Sequence, residues 1–244
     1  MLMPAVVTAV WHGDPQREQL LRDHVANLAR QTIPVEAIYV FDGGDLPPPW
    51  LKARAVCVKE PLTIYQAWNV GLSLVGASVV MNLNLDDRLA PNAVEVMQRA
   101  LLGSDAVAIG GDWKVCYSQR DTDNVQPVYP ATRLPFVRAW PPPQGALTRL
   151  GSGTGDRGTY GPATMWRTSL HLSLPRFPWR AADGTLLRVV GDQAWWILIT
   201  EHLQQKILRL PLVVGNYYSH PSGQAEFRSG DESKLLVNPG ISLM

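Results

Sequence analysis

Ala77-Ser78-Val79-Val80-Met81 leads directly into Asn82-Leu83-Asn84-Leu85-Asp86-Asp87-Arg88-Leu89-Ala90-Pro91. The first part is an apolar run suited to a buried strand, and Pro91 suits the first turn of a following helix. Asp86 and Asp87 therefore stand where a buried strand leaves a sheet. Negative charge is costly there unless a cation, a basic group or solvent compensates it. The carboxyl ends of strands are also where α/β proteins bind their ligands. The chemistry to look for is a divalent metal carrying a phosphorylated substrate.

Working outward, the flanking sequence repeats the same rhythm. Residues 5–10 form a short apolar run, and Leu20, Leu21, Val25, Leu28 and Ala29 recur at helical spacing over 16–30. A second strand over 35–41 is stopped by the turn Asp42-Gly43-Gly44-Asp45. A third strand is predicted over 53–58, a helix over 63–74 and a helix over 91–102, with Val94, Met97 and Leu101 on one face. Another strand lies within 105–117. Strand and helix alternating in this way predict the α/β class, one domain with a mostly parallel central sheet and helices on both faces. Residues 118–161, rich in Pro, Gly and polar groups, break the pattern as a long irregular loop. Order resumes over 161–172, read as a helix from Gly161 that carries Arg167, then a helix over 191–204 and a strand over 207–214, with 216–244 as a C-terminal tail.

A chain of 244 residues with 46% hydrophobic and 18% charged residues is long enough for one substantial core. The net charge of +1 gives no bulk attraction to nucleic acid or to an anionic membrane. Met1-Leu2-Met3-Pro4 lacks the basic and apolar segments of a signal peptide, and no apolar stretch approaches the roughly 20 residues that span a bilayer. Cys57 and Cys116 are too few for a disulfide framework or a thiolate metal site. The expectation is a soluble, reduced, cytoplasmic protein.

A series of blocks, in order, resembles the family 2 glycosyltransferases with the GT-A fold. The first strand and the helix ending Leu28-Ala29-Arg30-Gln31-Thr32 look like the family opening. Val40-Phe41-Asp42-Gly43-Gly44 resembles its Asp-Asp-Gly-Ser turn, and Ala67-Trp68-Asn69-Val70-Gly71 its Ala-Arg-Asn-x-Gly helix. Leu83-Asn84-Leu85-Asp86-Asp87 resembles the Leu-Asp-x-Asp-Asp segment that contains the Asp-x-Asp signature. Gly161 to Arg167, then Gly191-Asp192-Gln193, look like the acceptor half. The resemblance implies one GT-A-like domain over 1–215, with a Rossmann-like nucleotide-sugar-binding half (1–117) and an acceptor half (118–215).

Each candidate residue has a duller alternative. Asp42, after a strand and before Gly, is placed by the resemblance at the nucleoside; otherwise it only closes an Asx-turn. Val10, His12 and Asn69 fall in the same implied nucleotide-sugar site. A carboxylate at Asp86 suits Mg²⁺ or Mn²⁺ bridging to diphosphate oxygens; the alternative is that Asp86 or Asp87 caps the next helix or pairs with Arg88. Asn84 replaces the first acid of the signature. It can accept a hydrogen bond from a ribose hydroxyl but carries no charge, so metal dependence is an open point. Trp68 replaces the family's helical Arg. Asp192, at a helix start, is the implied catalytic base, and simple N-capping is its alternative. His220 is a candidate second metal ligand, or a surface loop residue. Arg157 and Arg167 are possible phosphate partners, and Trp166, Trp195 and Trp196 possible sugar platforms, against the plainer roles of solvated face and core.

The function implied is transfer of a sugar from a UDP- or GDP-sugar to an acceptor hydroxyl, with inversion, an Asp base and a divalent cation. Glycan, lipid-linked, protein and small-molecule acceptors all remain open. The alternatives are a non-catalytic relative that binds nucleotide sugar or glycan, and a sugar-phosphate nucleotidyltransferase. The last needs a phosphate-cradling loop after the first strand, which Trp11-His12-Gly13-Asp14 does not offer.

Overall fold

Ala5–Val10 (β1) is buried almost throughout, which is why it reads as an unbroken apolar run. It pairs in parallel with Glu36–Phe41 (β2) on one side and Val79–Asn82 (β4) on the other. Arg17–Ala29 (α1) joins β1 to β2, and β2 pairs in parallel with Arg54–Cys57 (β3). Ile64–Leu72 (α2) leads back to β4. The computed structural model describes residues 3–131, 155–158, 164–174, 176–181, 183–188, 191–199 and 203–218.

The second half adds Arg88–Leu89 (β5), Ala93–Leu102 (α3), Ala108–Cys116 (β6), Gln119–Asp123 (α4) and Tyr129–Pro130 (β7). Gly155–Gly158 (β8), Thr164–Arg167 (β9), Gly191–Ile197 (α5) and Ile207–Tyr218 (β10) follow. The result is a mixed ten-stranded sheet in the order β3-β2-β1-β4-β9-β6-β10-β5, with β7 on β10 and β8 on β6. Helices α2 and α5 cover one face, packing Tyr65, Trp68, Trp195 and Trp196 over Val7, Val80, Ala108 and Trp166. Helices α1 and α3 cover the other, with Met97 and Leu101 over Met81, Ile109 and Met165.

Apart from β5, which the sequence reading does not place, strand and helix positions follow it within a residue or two through β6, and four differences stand out. Arg167 lies on a strand, not on a helix: β9 runs antiparallel between β4 and β6, so both its faces are buried and no alternation betrays it. Helix α5 ends at Ile197, short of the expected 204; beyond it Leu203 N–H reaches Leu198 O and Gln204 takes φ 51°. Strand β10 continues to Tyr218, past the expected stop at Val214. Gly215, which reads as a break, is needed inside the sheet, because a Cβ there would lie 2.4 Å from Arg88 O. The stretch after 117 is not wholly irregular, since α4, β7 and β8 lie within it. Its segments 132–154 and 159–163, with Gly151 to Thr154 and Pro141-Pro142-Pro143, fall outside the described residues, as does the chain beyond Tyr218.

Candidate active site

At the carboxyl ends of β1 and β2, one buried carboxylate organises three segments. Asp42, 3% exposed, accepts the His12 backbone N–H on Oδ1 at 2.9 Å and the Leu62 N–H on Oδ2 at 2.8 Å. The His12 ring also meets Oδ1, through Nδ1 at 3.0 Å. Asp42 is therefore neither a self-contained Asx-turn nor an open ligand. It ties the β1 exit to the segment that starts α2. The turn after it bonds Asp42 O to Asp45 N–H, with Gly43 and Gly44 at φ 62° and 82°. A Cβ on Gly43 would also strike the His12 ring at 2.6 Å. Trp11, 58% exposed, stands edge-on to His12 with ring centroids 6.0 Å apart. Sequence reading passed over Trp11 as His12's neighbour; a large aromatic at a strand's carboxyl end is the signal that marks it.

Leu62 hands on to Thr63, whose side chain forms a capping box with Gln66 at the start of α2. Tyr65, in that first turn, donates its hydroxyl to Asp192 Oδ1 at 3.2 Å. Burial, and then the Asp192 charge, holds the phenol well above its ordinary pKa, so Tyr65 remains a donor. Gly191 lets α5 begin this close, since a Cβ would meet Pro178 O at 2.4 Å and the Tyr65 ring at 2.6 Å. A continuous chain of contacts thus runs from His12 through Asp42, Leu62 and Tyr65 to Asp192.

The turn after β4 is held from the opposite side. Arg88, 1% exposed, donates through Nη1 to Leu85 O at 2.9 Å and Asp87 O at 2.8 Å, and through Nε to Asp123 Oδ1 at 2.7 Å. These bonds bracket Asp86 with fixed carbonyls. Gln119 on α4 reaches Asp86 O at 3.4 Å, and Asn216 on β10 holds α4 through the Asp121 and Thr122 carbonyls. Asp87 is fully buried and accepts the Tyr218 N–H at 3.0 Å. Burial first, then the Asp86 charge, pushes its carboxyl well above the usual range. Neither acid caps α3, whose N-cap is Asn92, and the carboxylate paired with Arg88 is that of Asp123.

Several expected ligands have other duties. The side chain of Val10 packs with Leu20, Leu21 and Phe41, and lines a cavity of about 210 Å³ with Arg17, Leu46 and Pro48. Asn69 exchanges two bonds with the Phe177 backbone, at 2.8 and 2.9 Å. Arg167 grips the Leu101, Ser104 and Ala106 carbonyls at the far end of the sheet, where β9 pairs with Val79, so it does not reach the Asp86 turn. Trp166 and Trp195 are core. Asn84 stands in the Asp86 turn with Oδ1 buried and unbonded. His220 and the side chain of Arg157 lie outside the described residues.

No protein-family model matches the sequence, and no curated protein matches it. Solved structures do. TarS of S. aureus (residues 1–349) in complex with UDP-GlcNAc aligns at TM-score 0.63 and 13% identity, covering 92% of this chain and 60% of that one. The same protein in complex with UDP aligns at TM-score 0.60 and 14% identity, covering 96% and 64%. The mannosyltransferase PcManGT from Pyrobaculum calidifontis, in complex with GDP-Man and Mn²⁺, gives 0.57 and 16%, covering 93% and 60%. The fold is GT-A. The chain spans less than two thirds of the length of each of these structures.

On this GT-A frame the residues of the β4 turn can be tested against a divalent cation. Among the described residues no three His, Cys, Asp or Glu side chains cluster as a metal site. The donors present are nonetheless of the right kind. Asp86 and Asp87 are adjacent carboxylates, and Asp87 Oδ2 is buried with no partner. Mg²⁺ and Mn²⁺ commonly take one or two carboxylates and complete their shell with phosphate and water oxygens. The turn fits that demand. No helix among the described residues is long and apolar enough to cross a membrane.

Proposed function

We propose that this chain is a glycosyltransferase that moves a sugar from a UDP- or GDP-sugar to an acceptor hydroxyl with inversion. The observation that carries the reading is the Tyr65–Asp192 contact, which fixes a carboxylate at the start of α5 and links it through α2 to the Asp42 clasp. On a GT-A sheet that arrangement suits a base facing a nucleotide site. Trp11 and His12 would flank the nucleoside, with Asp42 holding the loops that shape its pocket; Val10 and Asn69 act from behind, as packing and loop support. Asn84 Oδ1 is an acceptor for a ribose hydroxyl. Asp86, with His220 two residues past the Asp87-bound Tyr218, would hold Mn²⁺ or Mg²⁺ at the diphosphate. The bound cation supplies neutralisation of the charge gathering on the leaving diphosphate.

Asp192 takes the proton of the acceptor hydroxyl as its oxygen bonds to the anomeric carbon. The bond from that carbon to the diphosphate oxygen breaks on the opposite side, and the nucleoside diphosphate leaves with the electron pair. Tyr65 orients Asp192 through its hydroxyl. The acceptor, whether glycan, lipid-linked, protein or small molecule, would enter from the side of α5. A radiolabelled transfer and hydrolysis assay with UDP- and GDP-sugars tests this reading. Asp192→Asn is expected to lower kcat by about 10²–10⁴ with donor KM little changed. Turnover unchanged in both Asp192→Asn and Asp86→Ala sinks the assignment.

Asn84, a neutral amide at the signature position, favours one second reading: a relative that binds nucleotide sugar or glycan without turnover. Donor binding with neither transfer nor hydrolysis would select it. The nucleotidyltransferase alternative gains nothing, because the His12 backbone N–H is engaged by Asp42 and the Asp14 carboxylate by the Gln16 N–H.

A further inference from the structure

We infer that Asn82 and Thr164 form a hydroxyl-recognising floor for the transferred sugar, an inference that rests on the nucleotide-sugar reading above. The strands of the central sheet are ordered in levels on the face covered by α2 and α5. One level holds Ala5, Val80, Trp166 and Ala108, all in the apolar core. Two residues nearer the carboxyl end of β4, the register sets Val7 beside Asn82 and Gly110 beside Thr164. Because Met81 pairs with Met165, the next step places Asn82 opposite Thr164. Side chains two apart share a face, so both look the way Val80 and Trp166 look, toward the helices that carry Tyr65 and Asp192.

Asn82 is 2% exposed and Thr164 1% exposed, yet Asn82 Oδ1 and Thr164 Oγ1 have no hydrogen-bond partner. Two unbonded oxygens side by side in a sheet interior are costly, since each loses water and gains nothing. Packing alone would favour two apolar residues, as in the Val80–Trp166 pair one level below. The pair lies on the strand that ends in the Asp86 turn, beneath the face over which Tyr65 holds Asp192. A ring bearing hydroxyl groups, attached to a diphosphate at Asp86, supplies donors to both oxygens and accepts from the threonine hydroxyl and the asparagine amide. Gly110 adds no side chain to that level.

Isothermal titration of the full chain with Mn²⁺, comparing UDP with UDP-GlcNAc and GDP with GDP-mannose, tests the inference in Asn82→Leu, Thr164→Val and Thr164→Ser. Leu and Val keep the volume and remove the orphan oxygens, so a melting temperature equal to or above the wild type is expected. For the sugar that the wild type binds, affinity for the nucleotide sugar should fall about three- to tenfold in each of these two variants. Affinity for the matching nucleoside diphosphate should stay within about twofold, and Thr164→Ser should behave as wild type. Equal loss for diphosphate and nucleotide sugar, or unchanged affinity with a lowered melting temperature, would overturn the assignment and make the pair structural. A wild-type chain that binds neither form of either nucleotide would instead remove the donor-site reading, and this inference with it.

Discussion

The hydroxyl of Tyr65 is buried with the ring, and its acceptor is the one carboxylate at the start of α5. That placement separates a positioning residue from a packing residue. Tyr65→Phe keeps the ring contacts with Trp68 and Phe177 and removes the hydroxyl that bonds Asp192. We expect kcat to fall about tenfold with donor KM unchanged; a variant with wild-type kcat would show that Asp192 does not depend on this bond. The sequence singles out Asp192 chiefly through the family resemblance, as an acid at the start of an apolar helix, and the structure shows where that acid stands. Tyr65 was not legible there, because it lies 127 positions away in the chain and only the packing of α2 against α5 brings the two together. Asn69 illustrates the reverse case: its motif is visible in the sequence, but its amide closes on the Phe177 backbone. A motif position specifies which residue matters without specifying what it touches.

Helix α2 connects these parts, since it carries Tyr65 and Asn69 and begins at the segment clasped by Asp42. Its seat on the sheet depends on Gly71, where a Cβ would lie 2.3 Å from Val7 Cγ1. Gly71→Ala should cost roughly 1–3 kcal/mol by overpacking, lowering the melting temperature by roughly 2–12 °C. It should also reduce kcat, because the shift is transmitted to Tyr65; an unchanged melting temperature would contradict the close seat. The β4 turn is the second such unit. Arg88→Met removes the bonds to the Leu85 and Asp87 carbonyls and strands Asp123, whose partial exposure softens the penalty to roughly 2 kcal/mol. Divalent-cation affinity measured with UDP present should fall further than UDP affinity measured without the cation; equal changes would detach Arg88 from the proposed cation site. Most elements were readable from apolar runs and caps. Strand β9 was not, since an inner antiparallel strand with both faces buried has no period, and β10 outran its reading because Gly215 packs where glycine usually terminates.

The whole molecule joins two helix layers to one sheet, and α1 is fixed to it by a buried histidine. His24 contacts Tyr39 Oη at 2.9 Å and Thr8 Oγ1 at 3.4 Å, and burial, aided by the Arg88 charge, pushes its imidazole down to about 3. The unfolded chain takes up this proton near the ordinary 6.5 while the folded chain resists it, so its contribution is complete above 6.5 and is lost as pH falls toward 3. Urea unfolding between pH 6.5 and 4.5 should show stability falling by up to about 1.4 kcal/mol per pH unit from this group. His24→Gln should flatten that slope; an identical slope would mean that His24 is not protonated only on unfolding. The fold class was visible in the strand–helix rhythm, and the GT-A frame places the acids that the sequence singled out at strand and helix ends. The central claim is that the frame binds a nucleoside diphosphate through a divalent cation at Asp86. Thermal shift with UDP and GDP, with and without Mn²⁺, tests it most directly in the wild type and in Asp86→Ala. A rise in melting temperature for one of the two nucleotides that needs Mn²⁺ and disappears in Asp86→Ala is the predicted result. No shift with either nucleotide, or an Mn²⁺-dependent shift that Asp86→Ala leaves intact, would contradict it.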